Sequence, residues 1–293
     1  MPRSIRLVIA TLLLAALAAP SVAAGGSPAV GTTPSDTRLA AAPGAVRHGG
    51  GWAIPLKGAV PDWYTPQLAA QVDAANGVPV AAPTDAPLPS EVGIRPGSWM
   101  IAPAGCTMNF VFTDGTSFAI GTAGHCAAVN DPVVLLTLAP GTENPVLVEI
   151  GSVSVSRDNG IGDDFALVPI RPELNSWVSP TIAIVAGPCG AYGGSGPETV
   201  WHYGHGLAIG TGGTPRAGVA LTWQDDAFGW SGAAIFGDSG SPVRVGTGLA
   251  AAGDLTHLVV DTNWLPSFIA GTRIGTIAQI ARGWDLVSSP LCL

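Results

Sequence analysis

Three short stretches concentrate the side chains able to do chemistry: GTAGHC at residues 121–126, GDDFALVPI at 162–170 and IFGDSGSPV at 235–243. In the last, Ser239 stands between glycines after an apolar run, and glycine frees the backbone for tight turns. Alone, GDSG reads first as a surface loop; the sharper alternative is a nucleophile turn whose N–H groups face an oxyanion. Serine is a weak nucleophile at its own pKa and needs an adjacent base. His125 can take a hydroxyl proton near neutral pH and return it to a leaving group. A buried carboxylate on the other imidazole nitrogen would fix the tautomer and stabilise the imidazolium. Asp164 directly precedes Phe165-Ala166-Leu167-Val168 and should sit at the mouth of a buried strand. Asp163 would point the opposite way if the strand already runs there. Either acid taken singly also reads as a solvated strand entry. Taken together, the three stretches spell acyl transfer.

The elements that must hold these groups read as strands. From Gly97 onward, CTMNFVFTDGTSFAIGTAGHC gives two strand-like runs about Asp114-Gly115, a dipeptide favoured in two-residue type I′ turns. PVVLLTL, PVLVEIGSVSVS, DFALVPI, PTIAIVAG, GVALTW, SPVRV and THLVVD follow, separated by turn signals at spacings typical of antiparallel sandwiches and barrels. Ile277, Ile280, Ala281 and Trp284 fall at i, i+3, i+4 and i+7, predicting one amphipathic helix near the C-terminus. Residues 25–96 are rich in Ala, Pro, Gly and Thr and read as a propeptide or partly disordered leader. Within them, DWYTPQLAAQVDAANG predicts a short helix ending at Gly77.

In the order His, Asp, Ser, the motifs GTAGHC, DDFAL and GDSGSP resemble the chymotrypsin/trypsin-like serine proteases, especially the compact secreted bacterial members. The resemblance covers roughly residues 97–293. It implies an all-β fold of two packed six-stranded antiparallel β-barrels with a C-terminal helix, the site lying in the cleft between them. It further implies His125 as general base, Asp164 as its orienter, Ser239 as nucleophile, and the N–H groups of Gly237 and Ser239 as the oxyanion hole. The substrate would be a protein or peptide, with no cofactor and no metal. A catalytically silent binding protein on this fold and an esterase using the same triad are the competing readings.

The chain departs from the family pattern in places. Ser241 replaces the second glycine of GDSGG-P, which would matter if that position required a positive φ. Asp238 pairs with a freed amino terminus in animal members of the family; no Ile-Val-Gly-Gly-like start follows an arginine here, so an internal arginine is implied instead. Removal of the leader is expected to be needed for full activity. By analogy, Ala233 lies at the floor of the primary pocket, which disfavours Lys or Arg at P1 (the substrate residue before the cut). A rival reading places His257 at the pocket wall, receiving a substrate carboxylate. His202 and His205 in WHYGHG form only a weak H-x-x-H and no metal is expected there.

Bulk properties agree with this reading. Of 293 residues, 11% are charged, while Gly numbers 40 and Pro 26, which suits short strands and many turns rather than bundles or coiled coils. A net charge of −8 without a basic run argues against nucleic acid or an anionic membrane as partner. Residues 1–24 carry Arg3, Arg6, an apolar run and small residues, the layout of a secretory signal peptide, so a secreted, monomeric mature domain of residues 97–293 is expected. Four cysteines in an exported chain suggest two disulfides, with three possible pairings. Cys106–Cys126 is favoured because a hairpin between them could return the chain, and Cys189–Cys292 follows by default.

Overall fold

A computed structural model describes residues 36–57, 62, 91–142, 144–206, 213–260 and 266–292. The segment expected to be a signal peptide and, except for Asp62, the helix expected up to Gly77 lie outside the described residues.

The described chain opens with a short helix α1 (Asp36–Ala40) and a hairpin of β1 (Val46–His48) and β2 (Gly51–Pro55). Gly49 and Gly50 make the two-residue turn, with Gly49 at φ 56°, a conformation open to glycine but strained for most residues. Arg47 pairs with Asp36 at 2.8 Å and lies over the ring of Trp52, whose Nε1 donates to Asp36 at 2.7 Å. Leu39, Ala42, Ile54 and Leu56 are buried in one apolar cluster with Phe228, Trp230 and Leu258. This part of the expected disordered leader is therefore ordered by packing: α1 and β2 each present apolar side chains to an existing core.

The first barrel is built from β3 (Trp99–Ala102), β4 (Cys106–Thr107), β5 (Val111–Thr113), β6 (Phe118–Thr122), β7 (Pro132–Leu138), β8 (Pro145–Ser152), β9 (Val155–Asp158) and β10 (Asp164–Pro169). Pairings run β3·β4, β5·β6, β6·β10, β10·β9, β8·β7 and β7·β3, all antiparallel. With β4–β5 and β8–β9 each counted as one bent strand, six strands close on themselves. Met100, Val111, Ile120, Leu135, Ile150 and Val168 fill the interior. Packing onto this barrel begins before Gly97, since Glu91 and Ile94 are already buried.

The second barrel uses β11 (Glu198–Gly204), β12 (Thr214–Trp223), β13 (Ala227–Ser231), β14 (Pro242–Val245), β15 (Ala251–Asp254), β16 (His257–Val260) and β17 (Pro266–Thr272). Its antiparallel pairings run β14·β11, β11·β12, β12·β13, β13·β17, β17·β16 and β15·β14, and β15–β16 act as one bent strand. Six strands again close, and β2 adds alongside β16 as an extra one. Helix α2 (Ile274–Ile280) follows and buries Ile274, Ile277 and Ile280, while β18 (Asp285–Leu286) pairs with β5 of the first barrel. The helix is shorter than the periodicity predicts: Ala281 is its C-cap and Trp284 lies beyond it.

Two other expectations change. The turn after β5 spans Asp114–Ser117 rather than two residues, because Asp114 Oδ1 accepts from the N–H groups of both Thr116 and Ser117 and widens the loop. PTIAIVAG forms no strand; Ile184 and Ala186 adopt positive φ (63° and 57°), and Ile182, Ala183 and Val185 are spent packing the inter-barrel connection against α2. Disulfides join Cys106 to Cys126 and Cys189 to Cys292.

Candidate active site

His125 sits in a single 3-10 turn (Gly124–Cys126) that follows β6, tied through Cys126 to β4. Gly124 allows this turn to press on the backbone of Arg157, where a side chain would collide. Asp164 is the first residue of β10 and is fully buried; its main chain is anchored to Thr272 Oγ1, which donates to the Asp164 carbonyl at 3.1 Å. Ser239 lies in the tight turn before β14, where Gly237 and Gly240 adopt φ of 104° and 86°. Those two positions demand glycine. Ser241 is not among the described residues with positive φ, so serine fits there without strain.

The three side chains converge. His125 Nδ1 lies 2.6 Å from Asp164 Oδ2, its main-chain N–H donates to Asp164 Oδ1 at 2.9 Å, and its Nε2 lies 2.7 Å from Ser239 Oγ. Burial pushes the Asp164 pKa up, but the charge and hydrogen bonds of His125 outweigh it, and the net pKa is below the ordinary value. A carboxylate held ionised beneath an imidazole orients Nε2 toward the hydroxyl as acceptor. Asp163, by contrast, points away and pairs with Arg157 at 3.0 Å.

The N–H groups of Gly237 and Ser239 point at one atom, the carbonyl oxygen of Leu56, at 2.6 Å and 3.4 Å. The Leu56 N–H donates to the Thr256 carbonyl at 3.2 Å. The Leu56 side chain is fully buried and shares its apolar cluster with Ala234, Ile235, Phe236 and Leu258. Ala233 is fully buried on the same segment. Neighbouring residues of a strand face opposite sides, so His257 points away from Leu258 and from Leu56. It packs against His125 with ring centroids 5.7 Å apart, its Nδ1 2.9 Å from Thr256 Oγ1 and 3.7 Å from Asp164. Burial lowers its pKa to about 4, more than the Asp164 charge raises it, so it is neutral at physiological pH.

Asp238 is buried behind the turn and organises it. Its Oδ1 accepts from the Gly206 N–H and its Oδ2 from the Ile235 N–H, at 2.9 Å and 2.8 Å. The fully buried Arg216 of β12 approaches the same carboxylate at 3.4 Å, supplying the internal arginine that the sequence leaves unspecified. His202 lies 3.9 Å from Asp238, and burial lowers its pKa to about 4. His205 faces Glu91 at 2.8 Å and stacks on Trp99, while Tyr203 hydrogen-bonds Glu91; the two histidines thus serve different buried carboxylates.

Leu56, Arg216 and Glu91 were not singled out by the sequence reading. The first had a signal, two extended runs flanking Gly49-Gly50, but nothing in the sequence says which sheet such a hairpin joins. The other two are charged residues in polar company, indistinguishable in sequence from solvated ones.

No family model and no curated protein matches the sequence. Among solved structures, Protease A of Thermobifida fusca is similar at 20% identity with a TM-score of 0.46, covering 68% of this chain and 98% of its own. A glutamic acid specific serine protease with a histidine triad in substrate binding is similar at 14% identity and a TM-score of 0.48, over 66% of this chain and 100% of its own. Cellulomonas bogoriensis chymotrypsin is similar at 17% identity and a TM-score of 0.44, covering 67% and 97%. By its own two six-stranded closures, its capping helix and the His–Asp–Ser order of the groups that meet between them, the chain has the chymotrypsin-like fold.

Proposed function

We propose that the protein is a serine endopeptidase hydrolysing peptide bonds through His125, Asp164 and Ser239, with an acyl-enzyme intermediate and no cofactor. The observation that carries this is the unbroken relay from Asp164 through His125 to Ser239 Oγ, with contacts of 2.6 Å and 2.7 Å, beside two N–H groups aimed at one carbonyl oxygen. Ser239 attacks the scissile carbonyl while His125 takes its proton. The N–H groups of Gly237 and Ser239 stabilise the oxyanion, each donor contributing about 3 kcal/mol. His125 then protonates the leaving amine, and water repeats the sequence to free the acid.

Ala233, Ala234 and Ile235 are buried and apolar, and the Asp238 carboxylate beside Ile235 is engaged by the Ile235 N–H and by Arg216, which supports a P1 residue other than Lys or Arg. Residues 1–24 serve as an export signal, residues 25–96 as a leader, and residues 97–293 as the core of a secreted monomer. Support for export is the arginine-flanked apolar run at the N-terminus and the two disulfides. No helix among the described residues is long and apolar enough to cross a membrane.

A fluorophosphonate probe tests the assignment. It should label the secreted protein, and Ser239→Ala should abolish both labelling and casein hydrolysis, a fall of roughly 10⁵-fold or more in kcat with KM little changed. Labelling that survives Ser239→Ala, or a protein that neither labels nor cleaves, would refute the reading.

A further inference from the structure

Leu56 carries more than packing. Its carbonyl oxygen receives the N–H groups of Gly237 and Ser239, its N–H reaches the Thr256 carbonyl, and its side chain is enclosed by the apolar residues leading into the nucleophile turn. The preceding residues run antiparallel to β16, with Pro55 opposite His257, Ile54 opposite Leu258 and Ala53 opposite Val259. An extended peptide hydrogen-bonded along a sheet edge, with one carbonyl set between two N–H donors beside an activated hydroxyl, is a peptide positioned for acylation. On the far side of that carbonyl, Lys57 lies over the relay: its Nζ donates to the His125 carbonyl at 2.9 Å. A cleft lined by Lys57, Ala104, His125, Cys126 and Asp158 opens there, on the leaving-group side.

We infer that the Leu56–Lys57 bond is the protein's own first substrate, cut within the same chain, and that leucine is the P1 residue its pocket is shaped to take. This rests on the serine-protease reading above and adds the bond and the specificity. Ser239 Oγ bonds to the Leu56 carbonyl carbon as its proton passes to His125 Nε2. The C–N bond to Lys57 then breaks, and the Lys57 nitrogen takes that proton from His125. One water hydrolyses the Leu56 ester. The products are a leader fragment ending in the Leu56 carboxylate, Ser239 restored, and a new amino terminus at Lys57. Until the fragment leaves, β2 fills the groove that an external peptide would need.

Intact mass and N-terminal sequencing of the secreted full-length protein test this, with fluorophosphonate labelling alongside. The wild type should yield a cut between Leu56 and Lys57, and Ser239→Ala should keep that bond whole. Leu56→Asp should slow the cut by about 100-fold or more, since an apolar pocket strongly rejects a charge. Because that variant could also fail to fold, the processed wild type is assayed on Ala-Ile-Pro-X nitroanilides, where X = Leu should exceed X = Arg and X = Asp by at least about tenfold in kcat/KM. A labelled, casein-cleaving protein with its Leu56–Lys57 bond intact would overturn the inference and leave the protease reading standing. So would a cut that persists in Ser239→Ala, or a preference for Arg or Asp over Leu. Absence of labelling and of all proteolysis would instead remove both.

Discussion

At the scale of single residues, buried charge decides what the nucleophile turn can do. Asp238 is fully buried, accepts the main-chain N–H groups of Ile235, just ahead of the nucleophile turn, and of Gly206, just after β11, and has Arg216 as its nearest described cation. Removing the cation leaves a carboxylate uncompensated in a medium that solvates it poorly. Arg216→Leu is therefore expected to cost about 3–5 kcal/mol in urea unfolding. It should also slow fluorophosphonate labelling, because the turn that aims the Gly237 and Ser239 N–H groups loses its anchor. Arg216→Lys should restore part of both; a variant of unchanged stability and labelling would contradict this role. The relay residues themselves were legible in the sequence, because His125, Asp164 and Ser239 each sit in a local context of glycine, cysteine or strand entry that restricts what they can be. Arg216 was not, since its partner is a contact across 22 positions that only the closed barrel creates. The setting of His257 was hidden for a related reason: strand alternation, invisible until the register with β2 is fixed, sets its ring against His125.

At the scale of elements, the two disulfides have different tasks. Cys106–Cys126 spans 20 positions and ties the His125 turn to β4; Cys189–Cys292 spans 103 and ties the chain end to the inter-barrel connection. Loop-closure entropy grows with the logarithm of loop length, so the longer bridge should stabilise by about 1–2 kcal/mol more than the shorter. The expected outcome is a split. Replacing Cys189 and Cys292 by alanine should lower the melting temperature more while leaving kcat/KM near the wild type. Replacing Cys106 and Cys126 should lower melting less and kcat/KM more. Calorimetry and a peptide assay on the same preparations decide it, and equal effects of the two pairs on activity would argue against a positioning role for the first. Strands such as β10 and β14 were legible as short β-rich runs bounded by turn signals. PTIAIVAG looked the same in composition, yet its apolar side chains were needed to seal a connection against α2, and tertiary packing overrode local β preference.

At the scale of the whole molecule, buried histidines set the response to acid. His202 is held neutral with its pKa lowered to about 4, burial outweighing the nearby Asp238 charge. In the unfolded chain the same ring titrates near its ordinary value of about 6.5. A depressed pKa of this kind contributes stability that is fully present above the unfolded value and is lost as pH falls toward the folded one. Between pH 7 and pH 4 this group alone should therefore remove on the order of 3 kcal/mol. Urea midpoints of Ser239→Ala, used to suppress self-digestion, should fall over that window, and adding His202→Leu should flatten the fall; an unchanged slope would show that His202 does not govern it. The all-β character was legible in many short runs and turns, and the two closed barrels were implied only by the resemblance that the three motifs carry. The seat of β2 was not, because a hairpin in a region rich in Ala, Pro and Gly carries no mark of its eventual neighbour. That seat also fixes the order of the reaction. Blade and workpiece belong to a single polymer, so their meeting needs no collision between molecules. Maturation would then run as a first-order clock, started by folding and indifferent to dilution.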